Sequence, residues 1–229
     1  TWTLNTLREW GLDAAALSGT AAALAANSRW EYDDLPYWGG EVDCCINAFT
    51  LANGAWLGAD VHGLVEWFLE HQLDDGGWNC EWVEGSTRSS FHSTLNTIRG
   101  LLSYEQAVGG HAELAAARRR LRYGLRSGEP VAPWTDLLAY PTRWVATSTL
   151  ILDHLVQASH HDGTAPDARA AEAVDRLRAA RDDDGRWRQG TRYRGQVWFD
   201  IDVPVGESSP WLTFIALQVL GWWDGAAPR

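Results

Sequence analysis

An acidic turn closing on tryptophan recurs along the chain and constrains the fold more than any other feature. It reads Asp74-Asp75-Gly76-Gly77-Trp78 and again Asp183-Asp184-Gly185-Arg186-Trp187, with a degenerate first copy at Ser28-Arg29-Trp30. Each copy follows a stretch of helical pattern, 12–26, 60–73 and 166–181, and precedes a more apolar one, 42–57, 89–107 and 208–223. A further pair, 111–126 and 141–157, fits between them, its turn rewritten as Gly128-Glu129-Pro130. In 166–181, Ala170, Val174 and Leu177 recur at helical spacing among Arg and Glu. Strand-type alternation is confined to one short stretch, 196–203. Helix pairs at a period of roughly 50 residues predict a solenoid or a closed ring. The expected fold is all-α: an α/α toroid of about four to five hairpins in one domain over 1–229, apolar helices inward.

Composition narrows the partners. The 30 acidic against 19 basic residues leave a net charge of −11. That excludes nucleic acid and an anionic membrane as main partners, since both need a basic patch. The longest apolar run, 214–223, is broken by Gln218 and Gly221 and is too short for a transmembrane segment. Residues 1–10 lack a signal-peptide pattern. Every basic residue is Arg, so chemistry built on lysine is excluded. Three cysteines, two of them adjacent, make a poor disulfide framework and point to a reducing, cytoplasmic setting. The 15 tryptophans supply rigid surfaces that staple repeats or line a cavity.

The starts of the inner helices carry the unusual chemistry. The first begins Gly39-Gly40-Glu41-Val42-Asp43-Cys44-Cys45-Ile46-Asn47, the second Arg88-Ser89-Ser90-Phe91-His92-Ser93-Thr94-Leu95-Asn96. Cys45 and His92 are 47 residues apart, about one repeat. Asp43, Cys45 and His92 are therefore expected to converge at one end of adjacent helices. A carboxylate, a thiolate and an imidazole form a three-ligand zinc set with one open position, as in catalytic sites. Residues two apart on a helix point to different faces, so Asp43 must occupy the non-helical cap. Helix N-termini favour thiolate over thiol and neutral imidazole over imidazolium. The competing structural roles are an N-cap for Asp43, a small buried residue for Cys45 and a satisfied core histidine for His92. Cys44 is expected to point away from Cys45 into the core. Cys80 is either an extra ligand or a cysteine packed behind the site.

These motifs resemble the terpenoid cyclase and protein prenyltransferase superfamily. The Gly-x-Trp turns resemble squalene-cyclase-like repeats. Val42-Asp43-Cys44-Cys45, then Gly76-Gly77-Trp78, then Ser90-Phe91-His92-Ser93-Thr94 resemble the zinc region of protein prenyltransferase β subunits. The resemblance implies a catalytic zinc on Asp43, Cys45 and His92 that activates a thiolate. It implies alkyl transfer to, or cyclisation of, a hydrophobic small-molecule substrate. It leaves open a partner α subunit, and hydrolysis or elimination by zinc-bound water. Those β subunits carry bases just upstream of the Asp; here 35–41 has none, which points to a changed substrate. Substrate-binding candidates at the inner-helix starts are Glu41, Asn47, Arg88, Asn96, Tyr140, Arg143, Trp144, Glu207 and Trp211. Trp78 and Trp187 are assigned to packing the turns, and Arg118-Arg119-Arg120-Arg122 to a solvated face. Two other readings stay open: a metal-free cyclase-like acid at Asp33 or Asp34, and a non-catalytic repeat module that binds a partner.

Overall fold

The computed structural model describes residues 1–120, 135–193 and 200–225. Among them are nine α-helices and no strand, so the chain is all-α. No helix among the described residues is long and apolar enough to cross a membrane. The Gly128-Glu129-Pro130 turn, residues 121–126 and the first half of 196–203 lie outside the described residues. The chain divides into two compact units, Thr1–Tyr123 and Gly124–Arg229.

The first unit holds α1 (Trp2–Glu9), α2 (Thr20–Asn27), α3 (Cys44–Leu57), α4 (His62–Glu70), α5 (Phe91–Val108) and α6 (Ala112–Arg120). Helix α3 is buried nearly all round, including Ala48, Phe49, Leu51 and Ala52, as a central helix must be. Helix α5 starts at Ser90, whose hydroxyl caps the Ser93 N–H. Helix α4 buries one stripe, Leu64, Val65 and Phe68.

Three tethers fix how α3 and α5 run. Near their starts, Cys45 and Ser93 both contact Cys80. Further along, Gly100 lies directly against the Ala48 backbone. Further still, the Arg8 guanidinium bonds Asn53 at 3.1 Å and Ser103 at 2.9 Å. The two helices thus run parallel and in contact.

The second unit holds α7 (Ser148–Asp162), α8 (Ala171–Ala179) and α9 (Pro210–Trp223). Its core joins Leu152 and Val156 of α7, Val174 and Leu177 of α8, and Leu212, Ala216 and Val219 of α9 around Trp187.

The two tryptophan turns are built alike. Trp78 donates from its indole to the Phe68 carbonyl at 3.0 Å, and Trp187 to the Leu177 carbonyl at 2.7 Å. The backbone N–H of each donates to a threonine hydroxyl on the next helix, Thr94 or Thr213. Each carbonyl accepts from the next helix's capping serine, Ser90 or Ser209. Both indoles are fully buried, each worth about 4–6 kcal/mol in gross transfer free energy.

Three expectations need correction. The stretch 12–26 is not one helix: a 3₁₀ turn, Ala14–Leu17, gives way to α2 at Gly19, whose φ is 83°. The third inner helix does not open at Tyr140-Pro141. The Tyr140–Pro141 bond is cis, Arg143 has a φ of 49°, and α7 begins only where the Thr147 hydroxyl caps the Leu150 N–H. Arg118 is not solvated. It is buried and its guanidinium pairs with Glu105 at 2.9 Å, because an unpaired carboxylate there would be costly. Arg119 is exposed, as expected.

Candidate functional site

The loop before α3 is fixed from both sides. Gly40 has a φ of 78°, and a Cβ there would meet the Asn47 Oδ1 and Leu64 Cδ2 at 2.5 Å each. Asn47, almost fully buried, accepts from the Glu41 N–H and donates to the Glu41 carbonyl, both at 2.7 Å. The Glu41 carboxylate accepts from the backbone N–H groups of Val42 at 2.7 Å and Asp43 at 3.2 Å. Asp43 stands at the N-cap with extended backbone, yet its carboxyl makes no capping bond. The acid at the cap is therefore available for other chemistry.

Its neighbour is sulfur. After the turn at Trp78, a 3₁₀ turn over Cys80–Glu84, capped by Asn79, carries Cys80 to the start of α3. The Cys80 Sγ lies 3.4 Å from Cys45 Sγ and 3.5 Å from Cys44 Sγ. The Ser93 hydroxyl donates to the same sulfur at 3.3 Å and accepts the Cys80 N–H at 3.1 Å. Trp82 of the 3₁₀ turn donates to the Val42 carbonyl at 2.8 Å. Its ring packs edge-on to His71, which stacks on Trp67.

Charge in the cluster settles on Cys80. Hydrogen bonds with Cys44, Cys45 and Ser93 and with the Cys45 backbone hold its thiol far below the ordinary range. The N-terminus of α3 favours the same anion. Cys44 and Cys45 are pushed up, first by their bonds to Cys80 and then by burial. Asp43 is raised to about 6, chiefly by burial and next by the charges of Cys80 and Glu41. His92 is half-buried on the first turn of α5, next to Ser93, and burial lowers its pKa.

Cys45 comes together with Cys80 beside the Asp43 cap position, but the expected convergence of Asp43, Cys45 and His92 on one centre is not assembled among the described residues. The expectation that Cys44 turns away is corrected. It is almost fully buried, as expected, but its sulfur joins the cluster, because Cys80 approaches from between the two. Ser93 and Trp82 were missed; the signal for Cys80 lay in its place directly behind the turn. Asn96 is fully buried and donates to the His92 carbonyl at 2.8 Å. Arg88 is exposed, and its carbonyl accepts from the Asn79 amide. Asp33 and Asp34 are exposed in a turn with φ of 54° and 49°.

The other candidates belong to the second unit. Tyr140 is buried and stacked on Trp211, ring centroids 5.3 Å apart. The Gln189 amide accepts from the Tyr140 N–H and donates to its carbonyl. Arg143 is half-buried, Trp144 exposed. Glu207 is exposed, and its carbonyl accepts from the Gln189 N–H.

Among the described residues, no three His, Cys, Asp or Glu side chains are grouped so as to hold a metal ion. Comparison of the chain with protein-family models, with curated proteins and with solved structures finds no match in any of the three.

Proposed function

We propose that the chain is an α/α-toroid enzyme of the terpenoid cyclase and prenyltransferase type, acting through zinc held by Asp43, Cys45 and His92. The observation that carries this reading is the meeting of Cys45 with Cys80 at 3.4 Å beside the uncapped Asp43 carboxyl. His92 starts the parallel helix alongside. The donor chemistry fits. Two thiolates bound tetrahedrally at about 2.3 Å from zinc sit about 3.8 Å apart, a few tenths of an ångström beyond the Cys45–Cys80 spacing. The side chains reach a common centre only by turning, since no group of three is assembled here. Cys80 is within reach as a fourth ligand.

When bound, zinc supplies Lewis acidity and lowers the pKa of a coordinated thiol or water. The chain's own residues do the rest. Asp43 and Cys45 contribute donors from adjoining cap and helix positions. Asn47 and Glu41 hold the loop still. Arg88, exposed in the same unit, suits the polar part of a substrate. The reaction class is alkyl transfer or cyclisation, and the three free cysteines suit a reducing, cytoplasmic setting.

The test is metal analysis of protein purified without added zinc. Stoichiometric zinc, lost in Cys45→Ala and in His92→Ala while both variants keep their helical circular dichroism, is the expected result. A zinc-free native protein that takes up no zinc on titration overturns the reading.

A further inference from the structure

The sulfur cluster has a second use that needs no metal. Cys80 faces two thiols at nearly equal distance, Cys45 at 3.4 Å and Cys44 at 3.5 Å. All three are free. Both distances exceed the disulfide bond length of about 2.05 Å by only about 1.4 Å. Cys80 occupies a short surface turn whose Glu81, Val83 and Glu84 are exposed and which ends at Gly85, φ 81°. The turn is tied at the Cys80 N–H to Ser93 and at the Trp82 indole to the Val42 carbonyl, so the gap closes by rotation of the two cysteine side chains about their own bonds. The two partners differ in access: Cys44 is 1% exposed, whereas Cys45 and Cys80 are half-buried.

We propose that Cys45 and Cys80 form a reversible disulfide with low-molecular-weight disulfides as the oxidant, Cys80 reacting first and Cys45 resolving. The Cys80 thiolate attacks one sulfur of the oxidant, forming a mixed disulfide and releasing one thiolate. The Cys45 thiol then attacks the Cys80 sulfur, its proton passing to the departing sulfur, forming the internal disulfide and releasing the second small thiol. One protein dithiol and one small disulfide become one protein disulfide and two small thiols, so atoms and electrons balance. Cys44 keeps its thiol throughout. Disulfides that form at the surface are the labile ones, so a small dithiol reverses the bond.

The experiment uses the whole chain, reduced, held in chelator and exposed to oxidised glutathione. The expected result is a fall from three free thiols to one, a mass lower by two hydrogens, no retained glutathione, and a Cys45–Cys80 peptide in a non-reducing digest. Cys44→Ser forms the same bond at the wild-type rate. Three surviving thiols, a stable glutathione adduct, or a Cys44–Cys80 peptide overturns the proposal. The primary readout is on the unaltered chain, so no folding defect can obscure it. His92→Ala separates this proposal from the zinc reading. It removes a proposed zinc ligand and leaves disulfide formation unchanged, so either proposal fails without the other.

Discussion

Replacing Gly100 with Ala tests the contact that sets α3 beside α5. A Cβ at residue 100 would stand 2.4 Å from the Ala48 carbonyl oxygen, 2.7 Å from its carbon and 2.7 Å from its Cβ. Ordinary contact begins at 3.4 Å, so the helices must part by about 1 Å. The obstruction is backbone and has no rotamer to yield. Overpacking of this kind costs about 1–3 kcal/mol, partly offset by the helix preference of Ala over Gly, about 1 kcal/mol. A clash with backbone this deep takes the upper end of that range, about 3 kcal/mol, so the expected net loss is about 2 kcal/mol after the helix-propensity gain, seen as a lower urea midpoint by tryptophan fluorescence at unchanged slope. Gly63→Ala in α4 is the control. Nothing lies within 4 Å of its Cβ, so stability is unchanged or rises by up to about 1 kcal/mol. A Gly100→Ala protein as resistant to urea as the parent would refute the close crossing.

Two further outcomes follow from single side chains. Trp78→Phe and Trp187→Phe each remove an indole donor from a buried carbonyl, and each is expected to lose about 1–3 kcal/mol in urea unfolding; a neutral result at either turn contradicts their equivalence. Asp43 rises in the folded chain from its ordinary 3.8 to about 6. The fold therefore binds this proton more tightly than the unfolded chain. Its stabilising contribution is complete below the lower value and lost as pH climbs through the higher. In chelator, Asp43→Asn should gain stability relative to the parent between those limits, and the Asp43 carboxyl should titrate near 6 by NMR. A midpoint at the ordinary value removes the premise.

Much of the helical plan is legible in the residues. The apolar stretches 42–57, 89–107 and 208–223 appear as Cys44–Leu57, Phe91–Val108 and Pro210–Trp223. Hydrophobicity and a capping residue agree there. The stretch 12–26 misled because alanine content favours helix whatever Gly19 does. The start of α7 misled because Thr147, not Pro141, supplies the cap. At the candidate site, the cap position of Asp43 followed from helix geometry. The roles of Cys44, Cys80 and Ser93 depend on where a 3₁₀ turn returns the chain, which no periodicity encodes. Arg118 pairs with Glu105 across two helices, and a run of arginines looks solvated until its partner is placed.

The mutual grip of Asn47 and Glu41 has a consequence for recognition. Both main-chain groups of Glu41 are already satisfied, and Gly40 admits no side chain. For the zinc enzyme proposed above, this loop's conformational freedom was surrendered when the polypeptide folded, so its ordering adds little entropy cost to binding beside it. Under that proposal, selectivity on this side of the sulfurs rests on matching a fixed outline rather than on moulding a pliable one.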